Sequence, residues 1–342
     1  MDPGKVDRAF FDTHIRDRLG APRADVELGP TYGADFGVIR VGEHVLALAT
    51  DPVFVLRDLG LERAAWFAVH IVLSDVALSG LPPSHLSVDF NLPPDTDPQT
   101  FADIWTVFDR EARELGVNIV TGHTGVYAGT GFPTVGGATG LAVGRPEDLV
   151  LPTGAEPGDL LLVTKGPAIE TTGILATVFG DHLDLPPDAL QAARERFWDA
   201  SPIQDALVAA AAGPVTAMHD ATEGGLANAL HELAGASEVG LAVESDRIPM
   251  LDGVEALCEA FAIDPLRSSS EGTVLLTVAA HGEDAILDAL ADEEIPAAVV
   301  GEVTSGTAVT LDGEPLDEPA VDPFWGAYER ARERFGPVDR PD

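Results

Sequence analysis

The order of apolar and polar positions already divides the chain into elements. Residues 5–20 set Phe10, Phe11, Ile15 and Leu19 at helical spacing, which predicts an amphipathic helix. From Gly37 the pattern alternates and then turns wholly apolar up to Asp51, predicting two strands paired around a turn at Val41–His44. Ala64 to Leu78 is apolar nearly all round and reads as a buried helix. Pro82 and Pro83 stop it, and HLSVDFNLP follows as a strand closed by Pro93 and Pro94. A second helix spans Gln99 to Leu115, with Phe101, Ile104, Trp105, Phe108 and Ala112 on one face. VNIVTG is a strand that leads into HTGVYAGTG, and PTVGGATGLAVG is a strand carrying several glycines.

A seam rich in proline and glycine, PTGAEPGD, falls at residues 152–159, and the strand LLLVT opens a second half. Helices are predicted at Glu170–Phe179, Ala189–Trp198, Ile203–Ala212 and Glu283–Asp292. VTAMHDATEGGLANALHELAG reads as strand, loop and helix, while EGTVLLTVAA and AAVVGEVT are strands. Neither half shows the regular strand–helix alternation of a doubly wound sheet, so the expected class is α+β, twice over. The expected domains are 1–155 and 156–325, with a charged tail at 326–342.

Charge changes the picture more than any other bulk property. The 57 acidic residues against 20 basic ones give −37, and Lys5 and Lys165 are the only lysines. So much surface carboxylate repels itself in dilute buffer and suits concentrated salt, where screening acts over roughly 3 Å. Most of the acidity is therefore read as adaptation to a halophilic cytoplasm. No basic stripe exists to release counterions from nucleic acid, and anionic membranes are disfavoured for the same reason. The most apolar stretch, Ala64–Leu81, is interrupted by His70 and Asp75 and is too polar to span a bilayer. MDPGKVDRAFFD lacks the basic region and apolar run of a signal peptide, so a cytoplasmic location is expected. Cys258 is the single cysteine and sits in a helical pattern, which excludes an internal disulfide and reads as a core thiol.

Three aspartates stand out against the apolar frame: Asp35 in the turn GADFG, Asp51 after HVLALAT, and Asp75 within the buried helix. Surface acidity or turn capping accounts well enough for Asp35 and Asp51. It does not account for Asp75, because a carboxylate in an apolar helix needs a compensating partner. A hard divalent cation is the simplest partner the three can share. His70, four residues before Ser74, is read as core. Lys165 precedes Gly166 and a predicted helix start, where it is either an anion-binding cation or a solvated loop residue. Spacing makes Asp220 or Thr222 the cap of the following helix, and His123, at a strand end, is by default a hydrogen-bonded loop residue. There is no GxxxxGK[ST] loop, and the glycines from Gly122 to Gly144 read as turns and close strand contacts.

Taken in order, GADFG, ATDPV, SDVALSGLPP, IVTGHTG, GDLLLVTKG, HDATEGGLANALHELA and SSSEGTVLL resemble the PurM-like superfamily. It includes aminoimidazole ribonucleotide synthetase, selenophosphate synthetase, thiamine-monophosphate kinase and the hydrogenase maturation factor HypE. The resemblance covers roughly residues 5–320 and is nearest to the HypE-like branch. It implies a two-domain fold whose N-terminal strands pair across a homodimer into a β-barrel, joined to a C-terminal α+β domain. It also implies Mg²⁺-ATP held through Asp35, Asp51 and Asp75, with Thr50, Gly122, Lys165 and Gly166 as nucleotide contacts. His123 and Asp220 become candidates for metal or acid–base roles. Catalysis of this kind is mainly positioning and charge neutralisation.

The departures narrow the expected reaction. His123 stands where the family commonly has an acid, and Glu223 where HypE-like proteins often have arginine. HypE works through a cysteine at its extreme C-terminus, whereas this sequence ends in Arg340–Pro341–Asp342. The expectation is ATP-dependent phosphoryl transfer to an oxygen of an unidentified small molecule or protein-borne group, without thiocarbamoyl dehydration. The alternatives are a non-catalytic nucleotide-binding regulatory dimer and a thiamine-monophosphate kinase. Asp75→Asn should abolish Mg²⁺-dependent turnover while circular dichroism and melting stay close to wild type; full turnover in that variant rejects the assignment.

Overall fold

In the computed structural model, residue 6, residues 8–319 and residues 321–336 are described. Alternating burial builds the first sheet. Its strands are β1 (Val26–Leu28), β2 (Gly37–Val41), β3 (His44–Phe54), β4 (Pro83–Leu92), β5 (Asn118–Val126) and β6 (Thr134–Gly144), in the order β1-β2-β3-β6-β4-β5. β2 and β3 form the hairpin expected from the sequence, with Val41 opposite His44. The short helix α1 (Arg8–His14) precedes them, and α2 (Leu61–Ala77) and α3 (Pro98–Glu114) link the longer strands. α3 forms the crossover that makes β4 and β5 parallel. Odd positions of β3 (Val45, Ala47, Ala49 and Val53) are buried, as are Leu86, Val88 and Phe90 of β4. This face meets α2, of which Leu73, Val76 and Ala77 are fully enclosed. The opposite face is half-open, and the edge strand β5 leaves Val120 and Val126 exposed.

The second sheet is buried on both faces, which is why its strands read as continuous apolar runs. It comprises β7 (Leu160–Thr164), β8 (Val215–Asp220), β9 (Gly240–Val243), β10 (Val274–Val278), β11 (Ala297–Thr304), β12 (Val309–Leu311) and β13 (Glu314–Pro315), ordered β13-β12-β9-β11-β7-β10-β8. Its helices are α4 (Ile169–Phe179), α5 (Pro187–Glu195), α6 (Ile203–Ala212), α7 (Gly225–Ser237), α8 (Val254–Phe261), α9 (Glu283–Asp292) and α10 (Pro323–Phe335). α7 covers one face through Leu226, Leu230 and Leu233, which meet Leu161, Val163 and Leu275. α6 and α9 cover the other, where Ala206, Ala209 and Ile286 meet Leu162 and Leu276. That same cluster includes Val76 and Leu78 at the end of α2 and Ala142 of β6, so one apolar core crosses the seam between the halves.

Three expectations need correction. The N-terminal helix stops at His14, and Leu19 is exposed, because too few neighbours cover that stretch; Lys5 and residue 7 of the predicted helix lie outside the described residues. β5 runs on to Val126, so His123 lies within a strand and not at its end. Residues 326–335, expected to be tail, belong to α10, which buries Phe324, Ala327, Tyr328 and Ala331; residues 337–342 lie outside the described residues.

Phe90 is the centre of the N-terminal aromatic core, with ring centroids of Phe101 and Phe108 both 5.3 Å away and Trp105 at 6.1 Å. Phe90→Ala should cost roughly 3–5 kcal/mol in denaturant unfolding, and Phe90→Leu clearly less.

Candidate functional site

The site is assembled where a turn of the first half lands on a helix of the second. Gly33 has φ +78°, and a Cβ there would lie 2.4 Å from the carbonyl oxygen of Glu232 on α7. Only glycine allows the turn to sit so close. Tyr32 adds a hydroxyl hydrogen bond to Glu318 at 2.8 Å. The turn thereby delivers Asp35 to the C-terminal end of β8. There the fully buried His219 has Nδ1 2.5 Å from Asp35 Oδ2 and Nε2 3.0 Å from Glu232 Oε2. Burial alone disfavours the imidazolium, but the two flanking carboxylates outweigh it and hold His219 well above its ordinary 6.5. Asp35, His219 and Asp220 each offer a potential metal-ligating atom, all within 4.8 Å of one another.

A second group of carboxylates adjoins the first through Asp220. Glu271, in the loop 268–273, is buried, and burial together with the charges of Asp220, Glu170 and Asp51 raises its carboxyl well above the usual range. The Ser74 hydroxyl on α2 lies against Glu271 and partly offsets this. Glu170, at the start of α4, accepts a hydrogen bond from the Ser269 hydroxyl and another from the Glu271 N–H at 3.3 Å. Burial nevertheless pushes Glu170 up to about 7, helped by Asp322 and Glu223. Asp322 caps α10 by accepting from Phe324 N–H at 2.7 Å, and it also accepts from Gly224 N–H at 2.8 Å. Carboxylates gathered this closely resist full ionisation unless protons or a cation offset them.

The candidate residues are distributed unevenly around this assembly. Asp35 meets His219 and Asp220; Asp51, half-buried on β3, acts on Glu271; Asp75 is half-buried on α2 beside Ser74. Asp220 is fully buried at the end of β8 and is no surface cap. Thr50 lies on the outer sheet face, its hydroxyl 2.9 Å from that of Thr139. Gly122 is a close strand contact, since a Cβ there would lie 2.3 Å from the Val88 carbonyl oxygen. His123 is exposed on β5 and pairs with the Tyr127 hydroxyl at 2.7 Å, outside the Asp35–His219–Asp220 group.

Lys165 fits neither expectation. Its ammonium is buried and donates to the Asp199 and Ser201 carbonyls and to Asp205, each at 3.0 Å. Three internal partners use all three N–H donors, which removes the phosphate contact expected of it. Gly166 is likewise a packing position: with φ +93°, its Cβ would fall 1.9 Å from the Pro249 carbonyl oxygen. Sequence reasoning passed over His219, Glu232, Glu170 and Glu271 as site residues. Glu271 alone carried a signal, as the one acid between a serine run and a wholly apolar strand.

Residues 33–143 match the AIR synthase related protein N-terminal domain, and residues 156–314 match its C-terminal domain. The chain belongs to the AIR synthase-related, PurM-like family, in its HypE-like branch. Carbamoyl dehydratase HypE of Rhizobium leguminosarum bv. viciae is 31% identical over 252 residues, which cover 70% of this chain and 67% of that protein. The crystal structure of HypE from E. coli has a TM-score of 0.70 at 27% identity, covering 81% of this chain and 87% of its own. A hydrogenase maturation protein HypE solved in complex with ATP has a TM-score of 0.69 at 25% identity, covering 92% and 93%. Both domains and their mixed sheets are thus those of the family.

The sign of the pH dependence follows from His219. Its folded pKa is raised, so its stabilisation is full below the unfolded value of 6.5 and is lost as pH rises through the folded value. His219→Gln should cost roughly 3–5 kcal/mol in mildly acidic buffer, because two buried carboxylates lose their cation. Denaturant titrations should show that penalty shrinking toward alkaline pH.

Proposed function

We propose that this protein is an ATP- and Mg²⁺-dependent phosphoryl-transfer enzyme acting on an oxygen of a small molecule or protein-borne group. The observation that carries this reading is the gathering of carboxylates from both halves: Asp35 and Asp220 lie with His219 within 4.8 Å of one another, and the charges of Asp220 and Asp51 both act on the buried Glu271. The likeness to a HypE solved with ATP supports the nucleotide. The donor set fits magnesium: carboxylate oxygens predominate, and the one imidazole has both nitrogens committed to Asp35 and Glu232. Asp35, Asp51, Asp75 and Asp220 would hold the ion. Bound there, magnesium would neutralise the charge of the transferring phosphoryl group. Glu170, with its carboxyl at about 7, is suited to take the proton of the attacking hydroxyl near neutral pH.

This reading is HypE-like without thiocarbamoyl dehydration. Cys258 is buried in α8, and burial pushes its thiol up to about 11, so it presents no accessible thiolate to carry a group. A homodimer suits the open face of the first sheet, where Val120 and Val126 of the edge strand β5 and the following Tyr127 are exposed. Among the described residues no helix is long and apolar enough to cross a membrane.

A second reading, a nucleotide-binding dimer without turnover, draws on the engagement of His123 with Tyr127 and of Lys165 with Asp205. One experiment separates the two. ATP binding and ADP release are measured on the purified protein in high-salt buffer with a panel of hydroxyl, carboxylate, amide and phosphate acceptors. Acceptor-dependent ADP release establishes the enzyme, and tight binding without release establishes the regulator. Absence of ATP binding rejects both.

A further inference from the structure

One buried polar network lies outside the carboxylate site and returns to it. His70, on α2, is 7% exposed and stacks on Trp66 at 4.2 Å between ring centroids. Its Nε2 faces Glu111 Oε2 of α3 at 3.2 Å, and its Nδ1 meets the Ser201 hydroxyl at 2.7 Å. Ser201 belongs to the second half, between α5 and α6, and its carbonyl accepts from Lys165. Lys165 also holds the Asp199 carbonyl. That carbonyl is the surface on which the Glu271 loop rests, because a Cβ on Gly272 would lie 2.2 Å from Asp199 O. The same loop is tied to the residue after Lys165, since the Thr273 hydroxyl donates to Gly166 O at 2.5 Å. The Ser74 hydroxyl, which lies beside Glu271, donates to His70 O at 2.7 Å and so returns the network to α2.

Burying an ammonium, an imidazole and two carboxylates costs desolvation that apolar side chains of similar size would avoid. What such a network supplies is a fixed geometry. It spans α2, which carries Ser74 and Asp75, and the loop that carries Glu271. We propose that His70, Ser201 and Lys165 are positioning residues, which hold Glu271 in register with α2 across the junction of the two halves. The proposal rests on the phosphoryl-transfer reading for its kinetic consequence, though not for its structural one.

Ser201→Ala in the full-length protein cuts the network at one hydroxyl and leaves the Lys165–Asp205 pair intact. With MgATP and an accepted substrate, kcat should fall about tenfold while the ATP KM moves less than about twofold. Ser201→Thr, which keeps a hydroxyl, should restore most of the rate. Amide hydrogen exchange across residues 268–274 should accelerate in Ser201→Ala and return to wild type in Ser201→Thr. Unchanged exchange in that loop overturns the proposal whatever the kinetics. If the wild-type protein binds ATP and turns nothing over, the functional reading has failed, and exchange alone then decides the positioning role.

Discussion

The contact that sets the site is a buried histidine held between carboxylates of the two halves. His219 is enclosed on all sides and has a carboxylate on each nitrogen, Asp35 from the first half and Glu232 from α7. Desolvating three such charges is costly, and the cost is met only when all three arrive together in good geometry. The turn around Gly33 provides that geometry by resting directly on the α7 backbone. The position of Asp35, and with it the arrangement of the neighbouring Asp220, Asp51 and Glu271, depends on this contact.

The distribution of charge follows the same logic throughout. A net charge of −37 is tolerable where carboxylates face solvent and salt, and only a few enter the interior. Asp205 is paired with a cation, Lys165; Asp159 accepts from the Glu156 N–H and the Thr216 hydroxyl; and Glu170 is pushed up to about 7 by burial. Glu111 shows the first pattern: burial opposes its charge, yet hydrogen bonds from His70 and Arg110 hold its pKa below the usual carboxylate range. One of the two lysines in the sequence is placed inside the protein, where a compact ammonium satisfies three acceptors at once.

The core is also continuous across the seam. Val76, Leu78 and Ala142 share a cluster with Leu162, Ala206 and Ala209, so the halves are not separated by a solvated hinge. The open face and edge of the first sheet are the contrasting feature, with Val120 and Val126 exposed along β5.

Hydropathy alone determined the β2–β3 hairpin, the enclosed helix α2, the one-sided helix α3 and the strands β7, β8, β10 and β11 of the second sheet, because periodicity records which face of a segment is buried. It also located Asp75 and Lys165 as residues out of keeping with their surroundings. Their partners were beyond its reach. Lys165 looks like a loop cation until the chain returns at Asp199, Ser201 and Asp205; His219 looks like a residue before a cap until the Gly33 turn brings Asp35 to it. Glycines show the same limit: the family resemblance makes Gly122 and Gly166 nucleotide contacts, and the backbones of Val88 and Pro249 show both to be close-packing positions. A sequence specifies local burial through spacing, whereas the pairing of buried charges depends on which distant segments the finished fold sets side by side.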